Sequence, residues 1–213
     1  MLRQPLATAF FLFAHDTFSG KLLISAELLG CGLVGAQMAE LILAGRLQML
    51  DGKVAVSDPR GDGSDTISAY VMDSVSRQPQ AHAVRIWTEN LGPMLTELVA
   101  RAALDEGIVR REASGILRRK ADRFPALDLV RAAAGRVRVE HALRHPKDMD
   151  LRVGFLTALV FAVGAERLLD PGIDRLHARA LVAEVGENLP AALRQLLDGL
   201  AAAIAAVSLR VRR

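Results

Sequence analysis

Residues 153–165, VGFLTALVFAVGA, are thirteen consecutive positions without a charged side chain. A helix that is apolar on every face can rest only inside a protein core or inside a bilayer. A bilayer needs roughly 20 such residues, so this segment is too short to span one. It predicts a buried central helix, and burying a helix on all sides requires several others packed around it. Composition agrees with that demand. The chain is 51% hydrophobic but only 4% aromatic, with Ala, Leu and Val dominating. Such a mixture suits close-packed helices better than a β-sandwich, which draws on β-branched and aromatic residues. The expected fold is mainly α: one domain over residues 1–213, a helical bundle around a buried central helix, with small β-hairpins.

Periodicity and punctuation place the other elements. Met1–Ala14 carries Arg3 and a short apolar run without a convincing cleavage site, and reads as a first helix docked on the core. Lys21–Ile24 is expected to be a short strand. Ala26–Leu43 reads as a helix closed at Ala44-Gly45. Asp51-Gly52, set between the alternating runs RLQML and KVAVS, predicts a hairpin over Arg46–Ser57. A Pro- and Gly-rich loop, Asp58–Asp65, precedes a helix over Thr66–Ser76. A longer helical stretch, Ala83–Glu106, contains Gly92-Pro93, where a kink or break is expected. Ile108-Val109 opens a second hairpin reaching about Phe124. Helices are then expected over Ala126–Leu143, Asp150–Ala165, Asp174–Gly186 and Leu189–Leu209.

The chemistry of an enzyme is not written in this chain. Cys31 is the single cysteine, which excludes an internal disulfide framework and points to a reducing cytosol. It lies in an apolar stretch without a neighbouring His or Lys, so it reads as a packing residue. His141 and His145 share a helical face, but the intervening Ala142, Leu143 and Arg144 supply no third ligand, so no metal or other cofactor is expected. Neither a GxSxG nor a Walker A sequence occurs, and no dinucleotide-binding GxGxxG turn is expected. Formal charge is only +3, but it is unevenly spread: Arg101–Lys147 holds 12 basic residues against 6 acidic ones. The densest part is the second hairpin, with Arg110, Arg111, Arg118, Arg119, Lys120 and Arg123. These six are the candidate contacts to an anionic membrane, with Arg210, Arg212 and Arg213 adding a basic tail.

Four segments carry a resemblance. They are CGLVGAQMAELILAGRLQM (Cys31–Met49), GDGSD (Gly61–Asp65), VRIWTENL running on to LVARAALDEGIVRRE (Val84–Glu112), and HPKDMDLRVGFLTALVFAVGAERLL (His145–Leu169). In this order they resemble the Golgi phosphoprotein 3 family. The abundance of Arg over Lys and of Ala further suggests a bacterial member. The resemblance implies a non-enzymatic protein of helices around a central bundle, cytoplasmic and peripheral at the inner face of the membrane. It also implies binding to phosphatidylinositol 4-phosphate, protein tails as partners, and homo-oligomers formed through the projecting hairpin. The family's lipid-binding residues are altered, however: Val34 stands in place of the "GLRG" arginine, Ser25 near the tryptophan position, and Pro93 and Thr96 where two helical arginines belong. A soluble protein-interaction adaptor without lipid binding is the alternative. A winged-helix DNA-binding protein is a more distant one, since Leu22–Gly45 contains no basic residue and a recognition helix needs them. No nucleic-acid partner is expected.

Overall fold

The computed structural model describes residues 4–59, 65–112 and 122–211. Eight α-helices are seen among them: α1 (Leu6–Phe13), α2 (Ala26–Leu43), α3 (Thr66–Ser76), α4 (Val84–Asp105), α5 (Leu129–Arg144), α6 (Leu151–Ala162), α7 (Arg175–Asn188) and α8 (Ala191–Val211). A three-stranded antiparallel sheet has the order β1 (Leu47–Leu50), β2 (Lys53–Val56), β3 (His82–Ala83). The fold is mainly α with a small hairpin sheet, as the sequence predicts.

Local chemistry sets most boundaries. Ser25, Asp65, Asp128, Asp150 and Asp174 each accept a backbone N–H of the helix that follows, satisfying donors that the first turn leaves open. Asp51 and Gly52 have φ of 49° and 74°, the pair of positive values of a type I′ turn, and they hold Leu47 opposite Val56 and Leu50 opposite Lys53.

α2 forms the hub, packing against α1, α3, α4, α6 and α8. By length and composition it could cross a bilayer, but 67% of it is buried inside the protein, so it serves as a core helix. Its glycines let neighbours approach. A Cβ on Gly30 would lie 3.2 Å from the Gly92 Cα of α4, and one on Gly32 would sit 2.1 Å from the Phe10 ring of α1. All eight residues of α1 are buried, which places the first helix on the core. α6 is buried from Val153 to Val160, but it shares the centre with α1 and α2.

Four expectations need correction. Lys21–Ile24 is not a strand; only an isolated bridge pairs Leu22 with His15. α4 is a single helix from Val84 to Asp105, so Gly92-Pro93 does not break it. α5 starts at Leu129, because Phe124 and Ala126 are still hydrogen-bonded to the 17–20 turn and Asp128 supplies the cap. α6 ends at Ala162: Gly164 turns left-handed at φ 71° and a single 3-10 turn, Ala165–Leu168, follows. In the second hairpin, bridges Val109–Ala126 and Glu112–Arg123 form the stem.

Candidate functional site

Two surface features combine chemistry from several elements. The first is a cleft of about 430 Å³ where α2, α4 and α8 meet. Its lining comes from the first turns of α2 (Ala26, Glu27, Gly30, Cys31), the first half of α4 (Arg85, Thr88, Glu89, Gly92, Pro93, Thr96) and the end of α8 (Ala203, Val207). Apolar atoms dominate this wall. The Thr88 hydroxyl donates to the Arg85 carbonyl at 2.8 Å and the Thr96 hydroxyl to the Gly92 carbonyl at 2.9 Å. Arg85 Nε lies 3.7 Å from a Glu89 carboxylate oxygen. Cys31 is buried, and its thiol is pushed up chiefly by burial. Thr88 lowers it by hydrogen bonding, while the charges of Glu27 and Glu89 push it further up.

The four positions that the resemblance assigns to a lipid pocket do different jobs here. Pro93 and Thr96 line the cleft. Ser25 caps α2 by accepting from Leu28 N–H at 3.2 Å, and Val34 is fully buried in the core. No arginine pair faces the cleft from these positions. GCGLVG, Gly30–Gly35, has the letter spacing of a dinucleotide-binding GxGxxG, but it lies inside α2 rather than at a strand-to-helix turn, and its glycines serve helix packing.

The second feature is the root of the Arg-rich hairpin. The turn after α1 is fastened to it: Ala126 N–H donates to the Thr17 carbonyl at 3.0 Å and Phe124 N–H to the Gly20 carbonyl at 2.9 Å. Gly20 has φ 63°, and a Cβ there would fall 2.1 Å from Pro125 N, so only glycine fits. This attachment sets Phe18, 79% exposed, next in chain to one hydrogen-bonded partner and Leu127, 57% exposed, next to the other. Leu129 and Val130 at the start of α5 are 50% and 82% exposed. A run of large apolar residues thus stands in solvent beside basic ones.

Of the six basic candidates, Arg110 pairs with Glu112 at 2.7 Å, and Arg111 pairs with Asp122 and, at 3.8 Å, with Glu97. Both arginines are therefore partly neutralised. Arg123 is exposed on the stem opposite Glu112. Arg118, Arg119 and Lys120 lie outside the described residues. The apolar neighbours Phe18, Leu127 and Val130 escaped sequence reasoning, because an isolated Phe or Leu in an apolar chain is ordinarily assigned to the core.

His141 and His145 face each other on the surface with ring centroids 4.6 Å apart, and His141 Nε2 lies 3.8 Å from Asp148. Among the described residues no group of three potential metal ligands occurs. α2, offered as a recognition helix by the winged-helix alternative, is covered by five other helices and cannot enter a groove of DNA.

The Golgi phosphoprotein 3 (GPP34) family model matches residues 6–200, nearly the whole chain. No curated protein sequence matches it.

Proposed function

The chain belongs to the Golgi phosphoprotein 3 family, and from that premise we propose that it is a non-enzymatic peripheral membrane protein that responds to an anionic bilayer surface rather than to one phosphoinositide headgroup. The observation that carries this reading is the exposure of Phe18, Leu127 and Val130, all within a few residues of the hydrogen bonds at the root of the basic hairpin. Residues 107–131 hold seven basic side chains against three acidic ones. Each basic charge near an anionic surface contributes about 1 kcal/mol, and a buried aromatic or aliphatic side chain about 1.5–3 kcal/mol when fully removed from water. Neither term alone gives firm attachment, whereas together they give reversible binding.

Headgroup specificity is a separate matter. A phosphate monoester is held by forked, permanently charged donors. The cleft offers Arg85 beside two carboxylates, and Pro93 and Thr96 where the family pattern has arginines. This supports charge-driven rather than phosphoinositide-selective binding. Nothing in the cleft favours catalysis either, since its cysteine is held in the thiol form. The basic hairpin also remains the natural edge for self-association.

Sedimentation with liposomes tests the proposal, comparing neutral, anionic, and charge-matched anionic vesicles containing phosphatidylinositol 4-phosphate at two salt concentrations. The expected result is binding to both anionic compositions, weakened by salt and by Phe18→Ser with Val130→Ser. Selective binding to the phosphoinositide would overturn the non-selective reading. No binding to any vesicle would leave the soluble protein-interaction adaptor.

A further inference from the structure

We propose that the cleft between α2, α4 and α8 is a binding site for a small organic cation, an apolar chain ending in an ammonium group. The cleft is distinct from the hairpin root, and this inference stands whether or not the protein docks on membranes.

The argument begins with the shape. Gly30 and Gly92 bring the α2 and α4 backbones to van der Waals contact, and the floor of the cleft opens beside that crossing. Pro93, Ala203 and Val207 extend an apolar wall, while Cys31 adds a soft, uncharged sulfur. At about 430 Å³ the space falls within the roughly 300–1,000 Å³ of small-molecule sites.

The polar groups then fix the sign of the ligand. Among the described residues, Glu27 and Glu89 supply two carboxylates to the lining and Arg85 its one basic side chain. Arg85 reaches Glu89 from one helical turn away. Glu27 has no ion-pair partner within 4 Å among the described residues. Both carboxylate charges act on the Cys31 thiol in the same direction as burial, so their field is felt at the wall itself. The Thr96 hydroxyl donates to the Gly92 carbonyl and keeps its lone pairs for a ligand, while Thr88 is engaged with the Arg85 carbonyl and the Cys31 thiol. Two carboxylates against one guanidinium suit an N–H donor and repel an anion. A hydrocarbon chain on that donor would cover the Gly, Pro, Ala and Val wall.

The test uses n-hexylammonium as the probe, with 1-hexanol and hexanoate as neutral and anionic controls of equal chain length. Binding is followed by calorimetry and by the alkylation rate of Cys31, the only cysteine in the chain and a member of the cleft wall. Hexylammonium is expected to slow Cys31 alkylation at concentrations where neither control does. Glu27→Gln combined with Glu89→Gln is expected to erase that preference, a loss of about tenfold or more in affinity for the ammonium relative to the alcohol. Both positions are exposed, so the double variant should keep the wild-type melting temperature, which is measured alongside. Equal binding of hexanol, tighter binding of hexanoate, binding that leaves Cys31 unprotected, or no binding of hexylammonium would each overturn the proposal. A lysine-containing peptide that protects Cys31 when hexylammonium does not would assign the cleft to a polypeptide instead.

Discussion

Glu40 and Arg152 offer the sharpest perturbation of the fold. Both terminal nitrogens of Arg152 donate to the Glu40 carboxylate, whose Oε1 also accepts Leu6 N–H at 2.7 Å and so secures the first turn of α1. Arg152 donates further to the Gln4 carbonyl at 3.3 Å. The two side chains are 27% and 17% exposed, for Arg152 and Glu40 respectively. Removing one member of a fully buried pair costs about 3–5 kcal/mol, because the remaining charge is stranded. The residual exposure lets water reach the stranded charge, which brings the expected cost of Glu40→Gln to about 2–3 kcal/mol. At roughly 2–4 °C per kcal/mol for a domain of this size, the melting temperature should fall by about 5–10 °C. The isosteric glutamine keeps an acceptor for Leu6 N–H, so the loss reports the charge and not the cap. Arg152→Met should cost a comparable amount, and the double variant about 1–2 kcal/mol less than the sum of the two. Urea denaturation followed by far-ultraviolet circular dichroism measures all three. A Glu40→Gln cost below about 0.5 kcal/mol, or strict additivity in the double variant, would refute the claim that the pair acts as one unit.

Two further predictions concern α1 and its surroundings, beside the vesicle and hexylammonium experiments above. His15 is buried between Phe11 and Phe124 and donates from Nδ1 to the Phe11 carbonyl at 2.7 Å, and burial holds its pKa below 6.5. The folded state therefore binds fewer protons than the unfolded one, and stability should fall as pH drops below about 6.5, by at most about 1.4 kcal/mol per pH unit; His15→Gln should flatten that slope, and an unchanged slope would remove His15 as its cause. Gly32→Ala would set a methyl 2.1 Å from the Phe10 ring and should destabilise by about 1–3 kcal/mol, with Phe10→Leu relieving part of the cost in urea midpoints; a neutral Gly32→Ala would show that the α1–α2 contact is looser than described.

Where residues near one another in sequence decide the outcome, the structure was readable in advance. α2 and α3 have the predicted bounds because caps at Ser25 and Asp65 start them, and Asp51-Gly52 has the turn its chemistry demands. Pro93 shows the limit of such reading. Local propensity puts a break at that residue, yet α4 continues because α2 and α8 pack along it. The second limit is distance along the chain. Phe18 and Leu127 are 109 positions apart, and only the Thr17–Ala126 and Gly20–Phe124 hydrogen bonds make them neighbours. Glu27 and Glu89 likewise come from separate helices, joined where Gly30 crosses Gly92. The hairpin arginines were visible as charges, but not as partners of Glu112, Asp122 and Glu97.

The residues that hold this fold are largely different from those that would choose a ligand. Glu40 lies in the glycine-spaced helix and Arg152 in the DMDLR segment, so two of the segments that carry the family resemblance meet in one ion pair. Gly32 against Phe10 and Gly35 against Leu200 serve the same purpose of packing helices closely. The cleft, in contrast, takes part of its lining from exposed or half-buried positions such as Ala26, Glu27, Pro93 and Thr96. Substitutions at such positions usually change stability by no more than about 0.5 kcal/mol. Gly30 and Gly92 belong to both sets, because their contact seals the α2–α4 crossing and shapes the cleft beside it. Substitutions at Pro93 and Thr96 are therefore expected to leave the core undisturbed. The family match spans the bundle, and the sign of the charge that enters the cleft has to be read from Glu27, Glu89 and Arg85 themselves.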